Sequence, residues 1–152
     1  MKSRFLSAVV GLFLLTGTVA LPTQAGEQGE AETCVRNMVW DAYPEGWAVR
    51  TITTAKLGEM EHRIYMLTLY AGNEYRIIAC GDKTMVNVDL VLYDSDGRLI
   101  LQDPNADRQP ILNYKPESTD TFYVAVHATE RVKKGKAAND PKASISLAVT
   151  YK

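Results

Sequence analysis

An alternation of apolar and polar residues organises the segment from Met85 to Gln102. Every second position of its first half is apolar, namely Val86, Val88, Leu90 and Leu92. A period of two sends successive side chains to opposite faces of a sheet, so this set is expected to face a core. Residues 94–97 (Asp-Ser-Asp-Gly) have turn chemistry, with a glycine free to take positive φ, and Leu99 and Leu101 resume the pattern. The segment therefore predicts a β-hairpin with a scaffolding role.

A helical period precedes the strands. Apolar residues recur at steps of three and four, and Pro44 and Gly46 follow them. The stripe consists of Ala31, Cys34, Val35, Met38, Val39, Ala42 and Tyr43. It predicts one short N-terminal helix within residues 26–46 that ends at the proline and the glycine. Because Cys34 lies on the apolar stripe, that helix is expected to cover a sheet.

The remaining chain, residues 47–152, has strand periodicity. Residues 47–56 and 63–70 are predicted to form a hairpin through Gly58. Further strands are predicted over residues 74–80, 111–114, 121–129 and 144–151, in addition to the central hairpin. About eight short strands with no helix between them favour an all-β fold, an antiparallel β-sandwich, over a parallel sheet.

The first 25 residues have the composition of a secretory signal peptide. Lys2 and Arg4 precede an apolar run from Phe5 to Leu21, and small residues lead to an expected cleavage after Ala25. The alternative is an uncleaved membrane anchor, for which the run is short. Of 17 basic residues, 15 remain after cleavage against 18 acidic ones, a net charge of −3. We therefore expect no membrane span in the mature chain and no general attraction to nucleic acid.

The chain has two cysteines, Cys34 and Cys80. In an oxidising compartment such a pair is more often a disulfide than two free thiols. The expected bond would fasten the helix to the sheet that carries Cys80. Together with the signal peptide, it predicts a periplasmic or secreted protein.

Four segments resemble the bacterial pre-peptidase C-terminal domain, a family similar to collagen-binding domains. They are residues 69–75 (LYAGNEY), 88–94 (VDLVLYD) with Gly97, 103–110 followed by Ile111, and 121–126 (TFYVAV). The resemblance implies a jelly-roll-like β-sandwich over about residues 51–152. Asp120 stands where the family usually has glycine, a position that aspartate tolerates. What the resemblance implies for function is a free-standing binding or accessory protein.

One loop has oxygen ligands at alternate positions, Asp103, Asn105 and Asp107. This spacing lets a loop fold three side chains around Ca²⁺. Arg108 stands where an EF-hand requires glycine, so the loop is not an EF-hand. Some domains of the resembled family bind Ca²⁺. The alternative is a polar turn in which these side chains bond their own backbone. Apart from this Ca²⁺, no cofactor is expected.

Two histidines, His62 and His127, are the candidates for acid–base chemistry. No positioned serine or cysteine nucleophile accompanies them, and both cysteines are expected to be oxidised. We interpret both histidines as surface residues and do not expect an enzyme.

The candidate binding residues are basic or aromatic. Arg131, Lys133, Lys134 and Lys136 are predicted to lie in a basic loop between the last two strands, where they could hold an anionic partner. Alternatively, those lysines protect the flanking strands against edge pairing. Tyr93, beside the central turn, is the best candidate for an exposed aromatic residue.

These patterns predict an exported, non-catalytic binding or accessory protein of the cell envelope that recognises a protein or a glycan. Two alternatives remain: a structural or inhibitory partner of another secreted protein, and a small Ca²⁺-binding envelope protein. A small hydrolase using His62 or His127 is the weakest hypothesis. The sequence does not identify the ligand or the oligomeric state.

Overall fold

The computed structural model describes residues 29–133 and 142–152. They form one α-helix, a following 3₁₀ turn at Tyr43–Glu45, and eight strands. The elements are α1 (Glu30–Ala42), β1 (Ala48–Leu57), β2 (His62–Leu69), β3 (Tyr75–Gly81), β4 (Met85–Tyr93), β5 (Leu99–Gln102), β6 (Ile111–Tyr114), β7 (Asp120–Arg131) and β8 (Ala143–Tyr151). The expected signal peptide lies outside the described residues.

The strands form two four-stranded antiparallel sheets. Sheet I has the order β1-β8-β3-β6, and sheet II has the order β2-β7-β4-β5. Antiparallel strands that alternate between two sheets in this way form a jelly roll, so the predicted all-β, antiparallel jelly-roll-like β-sandwich is confirmed. The predicted hairpin of β4 and β5 is also confirmed, with Leu92 opposite Leu101. Among the described helices, none is long and apolar enough to cross a lipid bilayer.

The hairpin predicted through Gly58 is wrong, because β1 and β2 belong to different sheets. The chain turns between Gly58 and Glu61, whose backbone N–H donates to the Gly58 carbonyl. The N–H of Met60 donates to the Ala128 carbonyl, which ties this turn to β7 instead of extending a ladder between β1 and β2. A turn signal between two strand patterns does not distinguish a hairpin from a crossing between sheets.

The core lies between the facing surfaces of the two sheets. Its fully buried members include Leu69, Ile77, Val88, Leu90, Leu92, Val124 and Val149. In β4 the predicted apolar set is correct from Val88 onward, but Met85 is buried in the core and Val86 is exposed. The pairing of β4 with β7 is irregular on both sides of Asn87, and this bulge moves the start of the strand out of the simple alternation.

Helix α1 covers the outer face of sheet I. Val35 and Val39 pack against Ile78 and Cys80 of β3 and Ala148 of β8. The expected disulfide joins Cys34 to Cys80, whose Cα atoms are 6.1 Å apart. The predicted amphipathic stripe is confirmed from Ala31 to Ala42, and it explains why β3 is buried on both faces. Its predicted last member, Tyr43, lies instead in the following 3₁₀ turn and is exposed. In the described chain, α1 contacts sheet I, and no helix covers the outer face of sheet II.

Candidate functional site

The outer face of sheet II carries a row of large side chains that crosses all four strands. Met66 of β2 pairs with Tyr123 of β7, Tyr123 pairs with Tyr93 of β4, and Tyr93 pairs with Leu99 of β5. Residues that pair in this way share one face of the sheet. Met66 is 70% exposed and Leu99 is 59% exposed, while the two tyrosines between them are half-buried.

A second row lies beside the first. Ile64 of β2, which is 55% exposed, pairs with Ala125 of β7, and Ala125 pairs with Val91 of β4. Ala125 and Val91 are buried although they face outward. The two adjacent rows place apolar side chains side by side on the outer face of sheet II. We call this surface the open face and define it as Ile64, Met66, Val91, Tyr93, Leu99, Tyr123 and Ala125.

The open face ends at a histidine pair. His62 of β2 pairs with His127 of β7, and their rings stack with centroids 5.2 Å apart. Burial lowers the pKa of His127, the neighbouring His62 lowers it further, and Asp89 opposes both effects. The Asp89 carboxylate accepts hydrogen bonds from the Thr129 hydroxyl at 2.6 Å and from the Asn87 amide at 3.2 Å.

The contacts of this pair bear on the hydrolase hypothesis. The hydrolase hypothesis required an imidazole within hydrogen-bond reach of a hydroxyl or a carboxylate in a pocket. In the described part of the chain, neither imidazole makes a hydrogen bond. A general base must reach the group whose proton it takes, and here the two rings face each other.

Tyr93, which we expected to be an exposed aromatic residue beside the central turn, is half-buried between Tyr123 and Leu99 on the open face, and its role in binding stays a prediction. The sequence analysis missed Ile64 and Met66. Their signal was present, because Ile64 and Met66 alternate with Tyr65 and Leu67, so that β2 is apolar on both faces.

The proposed calcium ligands lie in the loop after β5. The buried Asp103 carboxylate accepts a hydrogen bond from the Asn105 backbone N–H at 3.1 Å. The Asp107 carboxylate accepts one from the Gln109 N–H at 2.6 Å. These are the backbone bonds of a polar turn. Asp103 and Asn105 also line a cleft of about 390 Å³. Among the described residues, no three histidine, cysteine or acidic side chains converge as metal ligands. Calcium binding by this loop stays a prediction.

The predicted basic loop needs one correction. Arg131 is the last residue of β7 and is only 8% exposed, with a guanidinium nitrogen 3.4 Å from the Thr84 hydroxyl that accepts its hydrogen bond. A buried arginine cannot present its charge to a partner. Lys133 is exposed, and its ammonium lies 4.0 Å from the Glu59 carboxylate. Lys134 and Lys136 lie outside the described residues.

Comparison with known proteins gives matches among solved structures. No protein-family model matches the chain, and no curated protein matches it significantly. The pre-peptidase C-terminal domain of a collagenase from Bacillus anthracis superposes with a TM-score of 0.50 at 10% identity, over 66% of this chain and 89% of that one. Aeromonas hydrophila PliG, a periplasmic inhibitor of g-type lysozyme, gives a TM-score of 0.49 at 14% identity, over 71% and 90% of the two chains. The first match confirms the resemblance at the level of the fold.

Proposed function

We propose that this protein is an exported, non-catalytic binding protein of the cell envelope, and that it recognises a protein partner through the open face. The observation that carries the proposal is the row Met66, Tyr123, Tyr93 and Leu99, which spans the whole width of sheet II and has no described helix over it. The equivalent face of sheet I is covered by α1.

An uncovered apolar surface of this kind is costly unless a partner covers it. Soluble proteins expose single apolar residues freely, but contiguous exposed patches are typical of interaction sites. Burying Met66, Leu99 and Ile64 at an interface would stabilise a complex through the hydrophobic effect, at about 25 cal/mol for each Å² removed from water. The half-buried tyrosines in the middle of the row match the aromatic enrichment of interface centres.

The residue types favour a protein over a glycan. A glycan-stacking surface needs exposed aromatic ring faces with polar groups around them. On the open face the most exposed side chains are Met66, Leu99 and Ile64, which are aliphatic or thioether groups, and both tyrosines are half-buried. Flexible methionine side chains adapt to an apolar protein surface.

Export is supported by the disulfide and by the N-terminal sequence. The Cys34–Cys80 bond fastens α1 to sheet I, and such bonds persist in the periplasm and outside the cell. The signal-like residues 1–25 direct a chain to the same compartments. A non-catalytic role is supported by the stacked histidines, which make no hydrogen bond to another described side chain.

The experiment compares two methionines of similar exposure. Met66 lies on the open face, whereas Met60, at 76% exposure, lies in the turn between β1 and β2. The mature, oxidised protein would be immobilised and exposed to an envelope extract of its source cells, and the partner it retains would then be purified and titrated. We expect Met66→Glu to weaken that binding at least about tenfold, because a carboxylate would be buried at the interface. Met60→Glu is the matched control and should bind as the unchanged protein does.

Equal affinity of both variants would refute the assignment to the open face. Periodate cleaves sugars. If periodate treatment of the retained partner destroys its binding, the partner is recognised through a glycan and not through its protein surface. A stoichiometric complex followed by chromatography, together with the partner's own activity, would show whether binding also inhibits it.

A further inference from the structure

A cleft of about 430 Å³ lies at one end of the sandwich, away from the open face. Its lining residues are Arg50, Tyr70, Asn73, Tyr75 and Tyr151. They come from β1, from the loop after β2, from the start of β3 and from the end of β8. The volume falls in the range of small-molecule sites, which is roughly 300–1,000 Å³. No residue is shared with the open face.

A β-bulge aims Arg50 at this cleft. Val49 pairs with Thr150 and Thr51 pairs with Val149, so Arg50 is the extra residue between two regular pairs. Bulges redirect a side chain out of the strand's alternation and are common beside functional sites. The Arg50 guanidinium crosses to the other sheet, where Nη1 donates to the Thr68 carbonyl at 2.5 Å. Its Cζ lies 5.8 Å from the centre of the Tyr70 ring.

Tyr75 holds the cleft in shape. Its side chain is fully buried, and its hydroxyl accepts hydrogen bonds from the Tyr70 backbone N–H at 2.9 Å and from the Asn73 amide at 3.4 Å. These bonds fix the loop that follows β2. Tyr70 and Tyr151 remain exposed at the rim, with the Tyr151 ring centre 6.5 Å from that of Tyr75. The cleft therefore combines a fixed floor with two accessible aromatic rings.

The charge of the cleft is positive. Of the described residues that line it, Arg50 is charged and none carries a carboxylate side chain. Tyr75 also lines a second cleft of about 340 Å³, which contains Arg76 and Lys152 together with Glu74, whose carboxylate lies 3.8 Å from the Lys152 ammonium. Both of these cations lie over the Trp47 ring, at 4.4 Å and 4.6 Å from its centre. Arg76 also lies 3.8 Å from the Glu45 carboxylate, so the positive charge offered to a ligand in the 430 Å³ cleft is that of Arg50.

We propose that the cleft binds a saccharide that carries a carboxylate. Arg50 has N–H groups beyond the one that it donates to Thr68, and a guanidinium matches a carboxylate with paired hydrogen bonds. The rings of Tyr70 and Tyr151 offer amphipathic surfaces for the apolar face of a sugar ring. The Asn73 amide provides a donor and an acceptor for sugar hydroxyls. This site goes beyond the proposed protein binding and does not depend on it.

An aromatic carboxylic acid would offer the same carboxylate and a flat ring, so the test separates the two sources. The mature, oxidised protein would be titrated by calorimetry with an oligogalacturonate, with a neutral glucose oligomer of equal length, and with benzoate. We expect measurable binding of the oligogalacturonate at millimolar concentration or below and at least about tenfold weaker binding of the other two. If the neutral oligomer binds equally well, Arg50 does not recognise the carboxylate. If benzoate binds equally well, the cleft does not recognise a saccharide.

Substitutions in the cleft test whether the oligogalacturonate binds there. Arg50→Gln should weaken oligogalacturonate binding about tenfold or more, because it removes the charged donor. Tyr70→Ala, at an exposed ring, should also weaken it. Arg98→Gln removes an exposed arginine at the central turn, which pairs with Asp94 and Asp96, and should have no effect. Thermal melts would verify that each variant is folded. Unchanged binding in folded Arg50→Gln, or absence of binding to the unchanged protein, would refute the proposal.

Discussion

Removing the Cys34–Cys80 disulfide tests how the helix is held. The bond closes a loop with a sequence separation of 46. In the chain-entropy model, opening a loop of this length in the unfolded state destabilises the folded protein by about 4 kcal/mol. The variant would combine Cys34→Ser with Cys80→Ala, because Cys80 is fully buried and a hydroxyl there would lack a partner.

The structure also predicts that the helix stays in place. Val35 and Val39 are buried against Ile78 and Ala148, and each fully buried side chain of this size contributes about 1.5–3 kcal/mol. Removing the disulfide should therefore change the entropy of the unfolded chain more than it changes the folded structure. Native amide exchange of α1 should remain slow in the variant, and the open face should be unchanged.

The measurement is urea unfolding of the oxidised protein and of the variant at 25 °C. With a slope of about 2 kcal/mol per molar urea, a loss of about 4 kcal/mol lowers the midpoint by about 2 M. A reducing agent should lower the midpoint of the original protein similarly and leave the variant unaffected. A loss of less than about 1 kcal/mol would refute the entropic reasoning. Rapid exchange throughout α1 would show instead that the disulfide, not apolar packing, holds the helix.

Three further predictions follow from local geometry. A Cβ on Gly81 would lie 2.7 Å from two atoms of Met85, so Gly81→Ala should lower stability by about 1–3 kcal/mol. Gly29→Ala, with no neighbour within 4 Å, should be much milder in the same urea assay. Burial is the largest effect that lowers the pKa of His127. As the pH drops, the unfolded chain therefore protonates His127 at a higher pH than the folded chain does. The free energy of unfolding should fall as the pH drops below about 6.5. His127→Gln should flatten that part of a plot of melting midpoint against pH, and an unchanged slope would contradict the assignment. If residues 103–107 act only as a polar turn, in which the Asp107 carboxylate accepts the Gln109 N–H, the melting midpoint should be the same in millimolar CaCl₂ and in EDTA. A rise that Asp107→Ala abolishes would instead establish calcium binding.

The predictable part of the fold was the part governed by local periodicity. The stripe of α1 from Ala31 to Ala42 and the strand predicted at residues 144–151 depend on neighbouring residues, and the structure confirms both elements. The pairing of strands depends on distant residues, and the sequence of the turn at Gly58 did not reveal that β1 and β2 belong to different sheets. The bulge near Asn87 likewise depends on β7, so Val86 was assigned to the wrong face.

The candidate site was predictable only in part, for the same reason. Tyr93 was identified because it adjoins a turn that the sequence shows. Arg131 was misplaced because its burial depends on Thr84, which is distant in sequence. Arg50 was not singled out, since a bulge that aims one side chain across two sheets has no local signature in the sequence. Side chains that the strand topology brings together from distant parts of the sequence can be identified only from the structure.

The position of β8 has a consequence for the order of folding. This strand is the last in the chain, yet it lies inside sheet I and pairs with both β1 and β3. Part of the surface that receives α1, Ala148, also belongs to β8. The first helix therefore has no complete docking surface until the last strand has entered the sheet. Such dependence on distant pairings slows folding, and it makes the native seating of α1 one of the final events as the chain folds.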